Sequence, residues 1–426
     1  MFVKENQEYP KKKETTELDS HKPNGNPKIL QVSRVESPIS RFRKVESIEQ
    51  LIMQLTEAFK ARGIAVNVAA PADSLPFEDF NILPTIKKSF GERYNPQDEP
   101  EKNILKLEHY QRAFSYAAFG NFDIIHDHYH LSKLYNTPPI SNLFNGHPLK
   151  NPILISIHVP PSYFKNGSIE CLKKIEPYVH FSVVSESQRK LFIDQAQLDA
   201  SRIFTVHNGI NPDEFPLHTE KKGYLLFIGR ITPDKGVKTA CEVAREAGKT
   251  LIISGYVNNQ QQNEDYFERE LDPLIDFKVD LSEKENLEAY TSSLLKIIKE
   301  KPKKIIFVGR SSSSQRVVLY QHASALLFTT GTENECKESF GLVQIEANAT
   351  GTPVLAYDNG GVREIIKPGI NGIIAQDFEG LVRGAKEIHR FPPEICRRYV
   401  EENFTIENTA AKYLGLYKEI IERHEL

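Results

Sequence analysis

Tyr224-Leu225-Leu226-Phe227-Ile228-Gly229-Arg230-Ile231-Thr232-Pro233-Asp234-Lys235-Gly236 carries the architecture in miniature. An uninterrupted apolar run of strand length, Tyr224 to Ile228, passes through a short basic loop into a helix predicted to start near Gly236. A strand with no polar alternation expects cover on both faces, as in a parallel sheet. Working outward, the same unit recurs. Downstream strands are predicted at Thr250 to Ser254, Lys304 to Val308, Ala325 to Phe328 and Pro353 to Ala356. Upstream strands fall at Ile29 to Val32, Ala65 to Ala69, Asp123 to His126, Ile153 to Ile157, Phe181 to Val184 and Ile203 to Val206. Between the first two, Val45, Ile48, Ile52, Leu55 and Phe59 step by three and four residues, the spacing of one buried helical stripe.

This alternation implies an α/β chain of two Rossmann-like, doubly wound domains facing across a cleft. Residues 1–27 are polar, rich in Pro, Asn, Lys and Glu, and are expected to form a disordered tail. The first domain is expected over 28–215. After Val206 the chain runs through His207-Asn208-Gly209-Ile210-Asn211-Pro212 and a polar stretch to Gly223, which suits a hinge. The second domain is expected over 216–390, and the helical stretch 391–426 is expected to cross back onto the first.

The chain has 426 residues, enough for two or three cored domains. Its 54 Lys and Arg against 57 Asp and Glu leave a net charge of −3, so no excess of positive charge points to nucleic acid. Cys171, Cys241, Cys336 and Cys396 lie far apart, without the spacing of a zinc knuckle, and are expected to be free thiols in a cytoplasmic protein. The apolar runs are far shorter than the ~20 residues of a membrane span. Basic clusters such as Lys301, Lys303 and Lys304 leave peripheral contact with an anionic lipid face open, against the plainer reading of a solvated loop.

Several familiar motifs fail on inspection. Gly248-Lys249-Thr250 ends like a phosphate-binding P-loop, but Val243 stands where the first glycine must be, and the tripeptide precedes a strand. No G-x-S-x-G elbow and no G-x-G-x-x-G after a strand occurs. His126-Asp127-His128 flanks a carboxylate with two imidazoles, yet no third ligand is apparent, and no metal is expected.

Two constellations carry chemistry. In Glu338-Ser339-Phe340-Gly341-Leu342-Val343-Gln344-Ile345-Glu346-Ala347 a buried helix is expected from Phe340 to Ala349. At 3.6 residues per turn Glu346 points about 200° away from Gln344, away from solvent. A carboxylate there needs a partner, either a vicinal diol such as a ribose or a core arginine. In the opening stretch, Arg230, Lys235 and Lys238 surround a helix N-terminus, which disfavours cations unless an anion sits among them. A solvated basic loop is the alternative.

Taken together, these residues make the sequence resemble the family-4 retaining glycosyltransferases of the GT-B fold, from about Lys28 to the C-terminus. The matching residues are Gly229-Arg230 with Lys235-Gly236, the E-x7-E pair Glu338 and Glu346, and Gly351-Thr352-Pro353-Val354 with Gly360-Gly361 and Glu364. The first-domain stretches Asp123 to His128, Ile157-His158-Val159-Pro160-Pro161, Val184-Ser185-Glu186 and His207-Asn208-Gly209-Ile210 follow the family's order. The resemblance implies a hexosyltransferase moving sugar from a nucleotide-diphosphate donor, UDP-sugar favoured over GDP-sugar, to an acceptor hydroxyl, with no metal or other cofactor. It implies that Arg230 and Lys235 hold the diphosphate, that Glu346 accepts from the ribose, and that Glu338 holds the sugar hydroxyls. Phe340 and the backbone N–H groups of Gly341, Leu342 and Val343 would border the donor, and His158 would face it across the cleft. Asp127 and His128 are weaker candidates for contact with the acceptor, a glycan, lipid or small molecule.

The sequence also departs from the family. Where paired glycines usually follow the first strand, it reads Glu46-Ser47-Ile48-Glu49 after Arg41, Arg43 and Lys44, and Glu46 would repel a diphosphate. Ser339 replaces the usual proline after Glu338, and the polar stretch from Lys278 to Lys303 is expected to be peripheral. These departures keep two alternatives open: a catalytically silent GT-B protein that binds nucleotide or glycan, and a GT-B epimerase or phosphorylase.

Overall fold

The computed structural model describes residues 25–425 except 41–46, 75–79, 91–98, 129–149, 165–167, 258–260, 283, 285 and 332–337. The expected tail falls almost wholly outside these residues, as do Arg41, Arg43, Lys44, Val45, Glu46 and Cys336.

Two seven-stranded sheets, parallel throughout, account for the core. The first holds β1 (Ile29–Val32), β2 (Val66–Ala70), β3 (Asn81–Pro84), β4 (Ile124–Asp127), β5 (Ile153–Ile157), β6 (His180–Val183) and β7 (Ile203–Thr205), in the order β3-β2-β1-β4-β5-β6-β7. The second holds β8 (Tyr224–Arg230), β9 (Thr250–Tyr256), β10 (Phe277–Lys278), β11 (Ile305–Phe307), β12 (Ala325–Phe328), β13 (Val354–Tyr357) and β14 (Gly372–Ala375), in the order β10-β11-β9-β8-β12-β13-β14. The first sheet switches direction of winding between β1 and β4, the second between β8 and β12, with β10 outside β11 at its far edge. Crevices at such switch points, outside the carboxyl ends of the strands, are where open α/β sheets hold ligands. With helices on both faces, this is the α/β GT-B architecture.

The helix Ser47–Ala61 presents the predicted stripe, with Ile52, Leu55 and Phe59 buried under the first sheet. The C-terminal helix Ile406–Glu425 packs into that same cluster through Ala410, Tyr413, Tyr417 and Ile420. The polar stretch 278–303 departs from expectation. Its helix Leu287–Glu300 buries Tyr290 and Leu294 in the second-domain core, because these apolar positions fall one turn apart on a single face. Among the described residues no helix is long and apolar enough to cross a membrane.

A buried polar ladder docks the C-terminal helix onto the first sheet. His126 Nδ1 lies 2.6 Å from the Tyr417 hydroxyl and its Nε2 lies 2.6 Å from Ser156 Oγ. Ser156 continues to Ser182 at 2.7 Å and to the Tyr413 hydroxyl at 3.1 Å. His128 packs on His126 with ring centroids 3.9 Å apart and planes tilted by 37°, and its Nε2 lies 3.0 Å from Gln31 Oε1. The two histidines share one face of β4, as alternate strand residues must.

Burial lowers the pKa of His109, His126, His128 and His158, to about 4 for His109 and His158. These imidazoles are neutral in the fold and bind a proton near pH 6.5 once unfolded, so below that pH the unfolded chain takes up more protons. The contribution to stability is therefore present above pH 6.5 and is lost as pH falls towards 4, by up to about 1.4 kcal/mol per pH unit for each differential proton. Thermal unfolding is expected at a lower temperature at pH 5.5 than at pH 7.5. An unchanged or higher value at pH 5.5 would show that these imidazoles are not held neutral.

Candidate active site

The second-domain half of the cleft grows from the ends of β8 and β12. After Arg230 the chain makes a 3-10 turn at Pro233–Lys235, and Gly236 adopts φ +68° before the helix Val237–Glu246 begins. A Cβ at Gly236 would lie 2.1 Å from the carbonyl oxygen of Thr329, just past β12, so only glycine lets the two loops meet.

Lys235 Nζ donates to Glu338 Oε2 at 2.6 Å. Burial disfavours the ammonium, but the Glu338 carboxylate outweighs it and raises the Lys235 pKa. Arg230 lies near enough to repel this cation. Its own Nη2 donates across the cleft to the Tyr163 hydroxyl at 3.3 Å and stands 3.9 Å from Asp234. Burial works against the guanidinium, yet these partners hold its pKa above the ordinary arginine value. Lys238, grouped with these two from sequence, instead donates to Glu270 at 3.0 Å, because the following turn of helix carries it away from the loop.

Glu338 is fixed from beneath. Gly361 N donates to its carbonyl at 3.1 Å, and a Cβ on Gly360, where φ is +54°, would lie 2.0 Å from that oxygen. The Gly360-Gly361 pair is thus a cradle for the Glu338 backbone. Beyond it Gly341 takes φ +88° and starts the helix Leu342–Ala349, two residues later than the sequence suggested. The first-turn N–H groups of this helix, from Leu342 and Val343, face no intrahelical acceptor. Phe340 is buried and stacks on His207 at 6.0 Å, so it anchors the loop at the domain boundary. Glu346 is buried, and its Oε2 accepts from the Tyr320 hydroxyl at 2.8 Å, with Arg316 Nη1 at 3.9 Å. The Glu346 charge raises the Arg316 pKa.

The first-domain half is built differently. His158 follows β5 and stacks on His128, ring centroids 6.3 Å apart. Among the described residues, His158 Nε2 and His128 Nδ1 are buried without a hydrogen-bond partner. Burial first, and then the nearby Arg34, lower the His158 pKa to about 4, so the imidazole is neutral. Asp127 is buried and accepts from the Tyr110 hydroxyl at 2.9 Å, on the other face of β4. Arg34, just past β1, grips Glu49 in bidentate fashion at 2.9 and 2.6 Å. The carboxylate of Glu49, which the sequence put where glycines usually lie, is thus paired with an arginine 15 residues earlier in the chain but adjacent in space.

Sequence reading missed how the two domains touch. Glu364 accepts from the backbone of Glu186 at 2.8 Å and of Ser187 at 2.9 Å, at the N-terminus of the helix Glu186–Ala196, and from His207 Nε2 at 2.7 Å. Burial opposes the carboxylate charge, but these donors outweigh it and lower the Glu364 pKa. The only sequence signal was the company Glu364 keeps with Gly360-Gly361.

Known proteins share this layout. Residues 48–214 match the family model described as Glycosyltransferase Family 4, and residues 213–403 match Glycosyl transferases group 1. The chain is 24% identical over 403 residues to a D-inositol 3-phosphate glycosyltransferase of Nocardioides sp., covering 86% of this chain and 84% of that one. Among solved structures, sucrose-phosphate synthase from Thermosynechococcus elongatus superposes with a TM-score of 0.68 at 18% identity, over 93% of this chain and 100% of that one. Anabaena Alr3699/HepE in complex with UDP and glucose gives 0.62 at 14% identity, over 92% and 99%. The fold and its cleft define a GT-B glycosyltransferase. The chain belongs to the family-4, group 1 glycosyltransferases and is a hexosyltransferase.

The Glu364 contact yields a test. Glu364→Gln keeps the shape but removes the charge that three donors share, and is expected to lower unfolding free energy by about 1–3 kcal/mol in a urea titration. A change within error would mean that this contact does not hold the domains.

Proposed function

We propose that the protein transfers a hexose with retention from a nucleotide-diphosphate sugar, UDP-sugar before GDP-sugar, to an acceptor hydroxyl, without a metal. The observation that carries this reading is the paired arrangement of Arg230 and Lys235 at the β8–β12 switch point, with a neutral His158 in the first-domain half whose Nε2 has no partner among the described residues. That the Alr3699/HepE structure holds UDP and glucose supports the donor class.

In this reading Arg230 and Lys235 bind the diphosphate and stabilise the charge that grows as it departs. The Leu342 and Val343 N–H groups add donors at a helix N-terminus, together with the backbone at Gly341. Glu346 accepts from the ribose and exchanges its contact with Tyr320 to do so. Glu338, released in part from Lys235, holds hydroxyls of the sugar, while Phe340 keeps its loop in place. His158 Nε2 hydrogen-bonds the sugar from the first domain, and His128 Nδ1 faces the acceptor side, with Asp127 bracing that strand end. The bond from the anomeric carbon to phosphate breaks as the bond to the acceptor oxygen forms on the same face. The acceptor proton passes to the departing phosphate oxygen. Positioning and charge stabilisation supply the rate.

Calorimetry with UDP, GDP and ADP in the presence of a chelator is the direct test. One diphosphate is expected to bind, and Arg230→Ala and Glu346→Ala should each weaken it at least about tenfold, the loss of a charged hydrogen bond. Binding of none would favour a protein whose cleft no longer accepts nucleotide. Lys235→Ala and Glu338→Ala should each slow release of diphosphate from the donor by about 100-fold or more while melting normally. Near-normal rates in either would overturn that residue's role, and dependence on inorganic phosphate would reveal a phosphorylase.

A further inference from the structure

A cavity of about 340 Å³ lies at the opposite edge of the first sheet from the cleft. The amino ends of β5 and β6 and the residues entering β7 frame it, and the last turn of the helix Ile406–Glu425 borders it, leaving it open to solvent along Tyr178, Arg423 and His424. Asn151, Tyr178, His180, Ser201, Arg202, Arg423 and His424 supply its polar lining, and among the described residues no carboxylate lines it. The size falls within the range of small-molecule sites, about 300–1,000 Å³.

The charges converge here from separate elements. Arg202 precedes β7 and His180 opens β6, while Arg423 and His424 end the crossing helix. A helix C-terminus favours cations, which accounts for Arg423 and His424 but not for His180 and Arg202. Existing contacts fix the groups and offset their charge only in part: Arg423 Nη2 also pairs with the Glu419 carboxylate at 2.5 Å. Arg423 Nη1 donates to the Ser201 carbonyl at 3.2 Å, Arg202 Nη1 to the Val179 carbonyl at 3.3 Å, and His424 Nε2 lies 3.2 Å from the Lys150 carbonyl. Glu419, which pairs with Arg423, and Asp199, which interacts with Arg202, both stand outside the lining. Burial, and then Arg202, Arg423 and His424 in turn, lower the His180 pKa to about 4. Burial is the larger cause, and the three neighbouring basic groups push in the same direction.

We propose that this cavity binds a phosphate monoester, with Arg202 and Arg423 as its charge partners and His180, His424, Tyr178 and Ser201 as hydrogen-bonding neighbours. Arginine suits a phosphate because its planar fork donates to two oxygens at once. Occupancy ties the end of the crossing helix to the first sheet, far from the cleft, and so bears on how firmly the two domains are joined. The phosphate belongs either to a soluble metabolite or to a lipid headgroup, and the two sources share this chemistry.

The test uses the full chain carrying Arg230→Ala and Lys235→Ala, which removes the two cations assigned to the donor diphosphate. Glycerol 3-phosphate is titrated while imidazole signals are followed by nuclear magnetic resonance, with His180→Gln and His424→Gln assigning the two of interest. Both signals are expected to move saturably, and Arg202→Gln should weaken the binding at least about tenfold. In parallel, phosphatidylcholine vesicles with and without phosphatidic acid are sedimented with the protein. Binding of glycerol 3-phosphate alone supports a soluble source, whereas sedimentation that needs phosphatidic acid and fails in Arg202→Gln supports a headgroup. No saturable shift and no such sedimentation, or equal binding by a normally melting Arg202→Gln, overturns the proposal. Activity of the cleft plays no part in these readouts.

Discussion

The chain passes between its two sheets twice, and the two passages are hydrogen-bonded to each other. Ile210 N donates to the Phe404 carbonyl at 3.0 Å, and Ile406 N donates back to the Ile210 carbonyl at 2.8 Å. Gly209 makes the crossing dense, since a Cβ there would lie 2.3 Å from the Thr405 carbonyl oxygen. Everything in the cleft depends on this knot. It fixes where the carboxyl ends of β1, β4 and β5 stand relative to those of β8 and β12, and the Glu364 contact with His207 and the helix Glu186–Ala196 braces it from one side. Phe340, Phe404 and His207 pack at the same place, so the loop bearing Glu338 is attached to the junction itself.

Charge in the cleft is held in pairs. Lys235 sits on Glu338 and Arg34 on Glu49, so the site is nearly neutral before any ligand arrives. A paired charge costs less to bury than a lone one, which lets these groups occupy a partly buried site. Arg230 is the exception, because its carboxylate neighbour Asp234 stands 3.9 Å away and its closer partner is a neutral hydroxyl. On the proposed reading Arg230 is therefore the cation that meets the incoming anion with least to give up, and Lys235 follows by exchanging partners.

Much of this was legible in the sequence because it follows from period and loop chemistry. Continuous apolar runs gave the central strands, and Ile29–Val32, Ile153–Ile157 and Ala325–Phe328 fall where the runs put them. The strands that escaped notice are at or near the sheet edges. Asn81–Pro84 is half exposed and ends in proline, Phe277–Lys278 has two residues, and Gly372–Ala375 begins with glycine, so none shows a full apolar run. The cradle of Gly360-Gly361 beneath Glu338 could be suspected as a motif but not understood, since its reason is a contact between segments distant in sequence. The same holds for Arg316 and Tyr320 against Glu346: spacing says that a buried carboxylate needs a partner, and only the fold says which.

The two halves of the cleft differ in kind, and burial is the cause. The first domain brings imidazoles to its strand ends so deeply that they stay neutral, leaving His128 Nδ1 and His158 Nε2 without partners among the described residues. The second domain brings cations whose pKa values are raised in spite of burial, because a carboxylate or a hydroxyl stands beside each. A neutral imidazole can donate or accept a hydrogen bond but attracts no anion over distance, whereas a guanidinium and an ammonium do. On the proposed reading a ligand with a polyanionic end and a polyhydroxyl end has one favourable orientation here, anion towards β8 and hydroxyls towards β5. The asymmetry that would orient a donor is thus fixed by how deeply each sheet buries the residues at its carboxyl edge.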